Sequence, residues 1–68
     1  MRIGQTARVT MGLGPGVRGV LTLIGVITDI EPDRVRVRMT AESYGRMEDV
    51  LNPGTFEREM WFDNAQVH

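Results

Sequence analysis

The sequence predicts an all-β fold, a small and partly open barrel of five short strands with at most one short helix or 3-10 turn. Three stretches alternate apolar with polar residues at the period of a strand, and they occupy residues 5–11, 34–40 and 55–62. The chain has 68 residues, which suffices for one domain with a small core. We therefore expect a single small β-barrel domain over residues 1–68.

The first strand is predicted over residues 5–11, "QTARVTM". Ala7, Val9 and Met11 alternate with polar residues, which predicts that these three side chains face the core. The next stretch, "GLGPGVRG" at 12–19, holds four glycines and a proline and is typical of a turned loop. It matches the G-x-G-x-x-G pattern, but no helical pattern follows it, so it does not predict a dinucleotide site.

The second strand is predicted over residues 20–30, "VLTLIGVITDI", where Gly25 is expected to bend or bulge the chain. Both faces of this strand carry aliphatic residues, so its orientation follows from the pairing with the next strand. That pairing predicts one inward set: Val20, Thr22, Ile24, Val26, Thr28 and Ile30. The set expected to point outward is Leu21, Leu23 and Ile27. Alternatively, a bend at Gly25 exchanges the faces in one half of the strand and leaves no aliphatic face exposed.

The hairpin that follows is predicted from its turn, "EPDR" at 31–34, in which the fixed φ of proline suits a type I turn. The third strand, "RVRVRMT", covers residues 34–40. An even-length loop pairs positions whose numbers sum to 65, which sets Ile30 opposite Val35 on an apolar face. A slip of one residue would scatter the apolar set over both faces, so the pattern favours this register.

The same register sets opposite charges across the hairpin. Glu31 is expected opposite Arg34, as a pair worth about 0.2–1 kcal/mol. Asp29 is expected opposite Arg36 in the same way, whereas Arg38 has no acidic partner. These pairings predict that the arginines of the third strand form a solvated, salt-bridged face.

The last third of the chain is less regular. Residues 41–54 fit either a long loop or a short helix over 46–51. A fourth strand is predicted over 55–62, "TFEREMWF", from its alternation. Asp63 is expected to start a single turn, after which Val67 begins a fifth, short strand.

Two stretches carry a resemblance to a known superfamily. The ending "WFDNAQVH" resembles the end of SH3-like barrels, where an aromatic strand passes through one tight turn into a short last strand. The stretch "GVITDIEPDRVRVR" is similar to the hairpin of KOW-type modules in that superfamily. The resemblance implies a five-stranded, SH3-like, partly open barrel. Tyr44 is the only tyrosine, so it does not imply recognition of proline-rich peptides.

Composition argues against an enzyme. The chain has no cysteine and no lysine, so thiolate and Schiff-base chemistry are excluded, and its only histidine is His68. Asp29, Glu31 and Asp33 alternate like the first ligands of a calcium loop, but Pro32 interrupts the pattern. We therefore predict no catalytic residues, no metal site and no cofactor. The sequence begins without an apolar signal core, which predicts a soluble, cytoplasmic protein.

The function predicted from these observations is that of a protein-binding module, an adaptor or a structural subunit of a homo- or hetero-oligomer. Contiguous apolar side chains on the surface of a small protein mark binding sites. A small core also gains stability from association. The residues predicted to bind the partner are Leu13, Leu21, Leu23, Ile27 and Trp61.

The alternative is a KOW-like module that binds nucleic acid. Arginines at period two lie on one face of a strand, where they are able to follow a phosphate backbone. The net charge of −1, however, does not indicate a polyanionic partner. The arginines concerned are Arg18, Arg34, Arg36 and Arg38.

Overall fold

The protein folds into one open, antiparallel sheet of four strands in the order β1-β2-β3-β4, with one short helix. The computed structural model describes residues 1–14, 16, 18–51, 54 and 56–68. The mostly β fold is therefore confirmed, although within these residues the strands number four and not the predicted five. The elements are β1 (Thr6–Gly12), β2 (Val20–Ile30), β3 (Arg34–Met39), α1 (Ala41–Val50) and β4 (Glu59–Asp63).

The predicted register of the β2–β3 hairpin is confirmed next to the turn. Ile30 lies opposite Val35, and Asp29 lies opposite Arg36. The amide of Glu31 also donates to the carbonyl of Arg34 at 2.8 Å, which closes the turn.

A β-bulge then shifts the register by one residue. Beyond the bulge, Ile27 pairs with Val37, and the pairing prediction is wrong from there on. The extra residue is Thr28, whose hydroxyl donates to the carbonyl of Arg36 and accepts from its Nε at 3.2 Å. The bulge therefore lies three residues beyond Gly25, the position predicted to bend or bulge.

The bulge reverses the two faces of β2 between residues 20 and 27. Because successive side chains of a strand point to opposite faces, a shift of one residue exchanges the inner and outer sets. The prediction that Leu21, Leu23 and Ile27 point outward is therefore wrong: their exposed fractions are 5%, 0% and 1%. The residues that are exposed in their place are Val20, Thr22, Ile24 and Val26. Ile30, beyond the bulge, keeps the predicted place opposite buried Val35 but is partly exposed.

Gly25 lies on the inner face of β2, where the two strands come close. A Cβ atom at this position would lie 2.5 Å from Cγ1 of Val37 and 2.6 Å from the carbonyl oxygen of Arg38. Every other residue type carries that Cβ, so the close approach of β2 and β3 requires glycine here.

The inner face of the sheet carries the core. In β1, Ala7 and Val9 are buried and Met11 is half-buried, as their alternation predicts. The inner residues of β2 pack with buried Val35, Val37 and Met39 of β3, and with side chains from α1 and the end of the chain. Those remaining core residues are Met47, Phe56, Phe62 and Val67.

The helix α1 begins five residues before the short helix that the sequence suggests, at Ala41. Its N-cap is Thr40, whose hydroxyl accepts a hydrogen bond from the amide of Ser43 at 3.2 Å. The Ser43 hydroxyl in turn accepts from the amide of Ile24 in β2 at 2.8 Å, which anchors the helix to the sheet. Met47, one turn further along, is fully buried.

The end of the chain returns to β1. A 3-10 turn over Asn64–Gln66 follows Asp63, as predicted, and Val67 then forms an isolated bridge with Val9. Arg8 and His68 exchange two backbone hydrogen bonds of 2.9 and 2.8 Å beside that bridge. The predicted fifth strand is thus reduced to one bridge. The predicted start of the fourth strand at Thr55 lies outside the described residues.

We expect Gly25→Ala to lower the free energy of unfolding by about 1–3 kcal/mol, because the added methyl group overlaps Val37 and the backbone at Arg38. Gly12→Ala is the matched control, since a Cβ at Gly12 meets no atom within 4 Å. Its effect should stay within about 1 kcal/mol. Urea unfolding of both variants measures the difference. Wild-type stability of Gly25→Ala would contradict the close approach of the two strands.

We expect Leu23→Ala to cost about 2–5 kcal/mol of unfolding free energy, because it leaves a cavity in the core. Val26→Thr, on the opposite face of the same strand, keeps the β-branched shape and should change stability by about 1 kcal/mol or less. Equal losses in the two variants would show that the faces of β2 are not divided as described.

Candidate functional site: the outer face of the sheet

The candidate site is the side of the sheet that faces away from the core, which we call the outer face. Alternation along each strand and the register between strands determine its members. β1 contributes Thr6, Arg8 and Thr10; β2 contributes Val20, Thr22, Ile24 and Val26; β3 contributes Arg34, Arg36 and Arg38; and β4 contributes Glu59, Trp61 and Asp63.

Three aliphatic side chains form the centre of the outer face. Val20, Ile24 and Val26, which we call the aliphatic row, are 64%, 44% and 38% exposed. They lie on β2, which pairs with β1 along the whole row and with β3 only from Gly25 onward. Thr22, which is also exposed, lies between Val20 and Ile24. The aliphatic row is therefore an exposed, mostly apolar strip on the outer face.

Ile24 stands between two open hollows. One has a volume of about 420 Å3 and is lined by Thr6, Ala7, Arg8, Ile24 and His68. The other, of about 200 Å3, is lined by Ile24, Thr40, Glu42, Ser43 and Arg46. A side chain of a partner that packs against Ile24 would find a depression on either side of it.

The backbone of Ile24 is held by the start of α1. Its amide donates to the Ser43 hydroxyl at 2.8 Å, and its carbonyl accepts from the amide of Thr40 at 3.0 Å. Ser43 is the one buried polar side chain among the described residues, and this hydrogen bond satisfies it. The backbone at the centre of the aliphatic row is thereby held against the start of α1.

Three arginines surround the aliphatic row. Arg8 of β1 lies opposite Ile24, and Arg38 of β3 lies opposite Val26. Arg46 of α1 reaches the row between Val20 and Ile24, where its Nη1 donates to the carbonyl of Thr22 at 3.5 Å. In the part of the chain that the structure describes, none of these three guanidinium groups forms an ion pair.

The other two arginines of β3 are engaged within the protein. Arg34 pairs with Glu31 at 2.6 Å, which confirms the predicted contact across the turn. Arg36 pairs with Glu59 at 3.5 Å. Both guanidinium groups also lie against the ring of Trp61, at 4.2 and 5.8 Å from its centroid. Arg34 and Arg36 thus form a stacked, salt-bridged cluster over Trp61.

The predicted ion pair between Asp29 and Arg36 is wrong, although the two residues lie opposite each other. The Asp29 carboxylate accepts a hydrogen bond from the amide of Ile30 at 2.8 Å, while Arg36 turns to Glu59 on the next strand. Arg38, expected to be unpaired, forms no ion pair within the described residues.

Of the residues predicted to bind a partner, Trp61 alone lies on the outer face, and it is half-buried beneath the arginines. Leu21, Leu23 and Ile27 are in the core, and Leu13 is partly buried against it. Of the arginines predicted for nucleic acid, three lie together on the outer face, whereas Arg18 lies exposed in the loop before β2.

Sequence reasoning missed the aliphatic row and Arg8 beside it. The available signal was Gly25: a glycine within a long strand often marks a close approach of two backbones, and such a glycine belongs on the packed side. Ile24 and Val26, its neighbours on either side, then have to point outward.

The described residues hold neither a metal-binding cluster nor a membrane-spanning helix. They contain no group of three or more His, Cys, Asp or Glu residues placed to hold a metal ion. The one described helix is also too short and too polar to cross a membrane. Comparison of the chain with protein-family models, with curated proteins and with solved structures found no match.

We expect Arg34→Gln to lower the free energy of unfolding by about 1–2 kcal/mol, the sum of an exposed ion pair with Glu31 and a cation–π contact with Trp61. Arg38→Gln removes the same charge from the same face without breaking an ion pair among the described residues. It should change stability by about 0.5 kcal/mol or less. Equal effects in urea unfolding would contradict the stacked cluster.

Proposed function

We propose that this protein is a cytoplasmic, non-enzymatic protein-binding module that acts as an adaptor or as a structural subunit of a homo- or hetero-oligomeric assembly. The observation that carries the proposal is the aliphatic row on the outer face of β2. Exposed apolar strips rimmed by polar residues are typical of surfaces that bind another protein. The predicted function is retained, but its site moves from Leu21, Leu23 and Ile27 to the opposite face of the strand.

The proposal includes an SH3-like, partly open barrel as the fold. Its support is the return of the chain to β1, where Val67 bridges to Val9 after a single 3-10 turn. The length of β2 is a second support. Its first part, residues 20–26, pairs with β1, and its last part, residues 25–30, pairs with β3.

Rigidity supports binding as the role of this surface. Ile24 is fixed through two backbone hydrogen bonds to the start of α1, so little conformational entropy remains to be lost on association. Two hollows that open to solvent lie beside it, and they suit side chains of a protein partner.

Nucleic-acid binding is the second candidate. It is favoured by the guanidinium groups of Arg8 and Arg38, which lie on the outer face without an ion pair among the described residues. It ranks below protein binding because Arg34 and Arg36, the other two arginines of this face, already neutralise Glu31 and Glu59.

Photo-cross-linking tests the proposed surface. A photo-reactive amino acid at position 24, in cells of the natural host, should give a discrete adduct with a polypeptide. The matched control is position 50, because Val50 is similarly exposed but lies on α1. We expect the adduct at position 24 to disappear when Val26→Glu is added. Native mass of the purified protein at micromolar concentration then separates self-assembly from a different partner. No adduct at position 24, or equal adducts at both positions, would contradict the proposal.

A salt titration tests the second candidate. Binding to phosphates releases counterions, so the logarithm of affinity falls with the logarithm of salt by about 0.9 per phosphate on duplex DNA. We expect no such steep dependence for duplex DNA or single-stranded RNA. Tight, salt-steep binding that is lost in the double variant Arg36→Glu/Arg38→Glu would promote nucleic acid to the first place.

A further inference from the structure

We propose that the occupant of the aliphatic row is an acidic amphipathic helix of a different protein, and not a second copy of this chain. This inference rests on the proposed protein-binding function and names the class of partner. Its grounds are the charges that surround the row, the length of the row and the exposure of its side chains.

Charge complementarity gives the sign of the partner. Arg8, Arg38 and Arg46 approach the row from β1, β3 and α1, and none forms an ion pair among the described residues. One acidic side chain, that of Glu42, lines the smaller hollow together with Ile24 and Arg46. Glu59 lies opposite Arg38 but is paired with Arg36 at 3.5 Å. The rim of the row is therefore positive, and a partner with carboxylates on both sides of an apolar stripe complements it.

The same charges argue against a second copy. A two-fold interface brings a surface patch onto itself, so the three arginines around one row would meet the three around the other. Glu42 alone is too few to compensate them. Like charges brought together in this way disfavour the wrong partner.

Dimensions point to a helix. The row extends from Val20 to Val26, about 20 Å at about 3.3 Å per residue. A helix of about 13 residues has that length. The core covers the inner face of the sheet, whereas Val20, Ile24 and Val26 on the outer face are exposed and therefore accessible to a helix laid across them.

Peptide binding tests the proposal directly. The probe is an 18-residue helical peptide with leucines at helical spacing, bordered on both sides by glutamates. The comparison peptide has lysine at every glutamate position. We expect the acidic peptide to shift the amide resonances of Thr22, Ile24, Val26 and Arg38 in the intact protein, and the basic peptide to leave them unchanged.

Variants of the protein separate the contribution of the arginines to binding from that of the aliphatic row. Arg8→Gln/Arg38→Gln should weaken binding of the acidic peptide by about three- to tenfold, as two exposed charge contacts are lost. The double variant Arg2→Gln/Arg58→Gln is the charge-matched control, since both residues are exposed and neither lies on the outer face, and it should leave affinity unchanged. Ile24→Thr/Val26→Thr should weaken binding by more than tenfold.

Other outcomes would contradict either the acidic helix alone or the protein-binding function as well. Equal binding of both peptides, or of neither, refutes the acidic helix while the adduct at position 24 still decides the proposed function. A dimer that Ile24→Thr/Val26→Thr dissociates also refutes it and leaves a protein-binding face. Salt-steep binding of a 12-nucleotide RNA that Arg8→Gln/Arg38→Gln abolishes, and Ile24→Thr/Val26→Thr does not, overturns both proposals.

Discussion

The β-bulge at Thr28 determines which face of β2 packs in the core. One additional residue opposite Arg36 turns the strand over, so that Leu23 and Ile27 pack inside while Ile24 and Val26 face solvent. Everything described for the outer face depends on this local feature, because both faces of β2 are aliphatic and composition alone does not choose between them. The hydroxyl of Thr28 stabilises the bulge through its contacts with the backbone and side chain of Arg36.

The four arginines on the outer face, which belong to β1 and β3, divide into two groups by the residues that they contact. Arg34 and Arg36 are held by carboxylates and by the ring of Trp61, which makes them part of the structure of the β3–β4 pair. Arg8 and Arg38 lie beside the aliphatic row, and within the described residues they have no acidic partner. Two of the three arginines that alternate along β3 therefore contact other parts of the protein. Arg8 and Arg38, which lie together beside the aliphatic row, are not grouped by the sequence pattern.

Much of the sheet is readable from the sequence because strand alternation and turn chemistry act locally. β1, the bounds of β2 and the pair Glu31–Arg34 follow from that local pattern. The bulge does not, because it depends on the contacts of Thr28 with Arg36 on the neighbouring strand, which the local pattern does not show. The start of α1 was missed because Gly45 weakens the helical period, although Thr40 followed by acidic Glu42 is an N-terminal signal. A register without the bulge places the aliphatic row on the inner face, which is why the sequence predicts the wrong face for it.

The helix α1 also covers the part of β2 that β3 leaves unpaired. β2 continues past the end of β3, and an unpaired strand edge is a template for pairing with other chains. Residues 20–28 carry no charge and no proline, which is the composition of segments that stack into fibrils. Thr40 and Ser43 occupy this edge by bonding the backbone of Ile24, and Arg46 bonds the carbonyl of Thr22. A chain in which α1 has unfolded would expose this edge, so we expect its tendency to pair with other chains to depend on three hydrogen bonds made by one short helix and its N-cap.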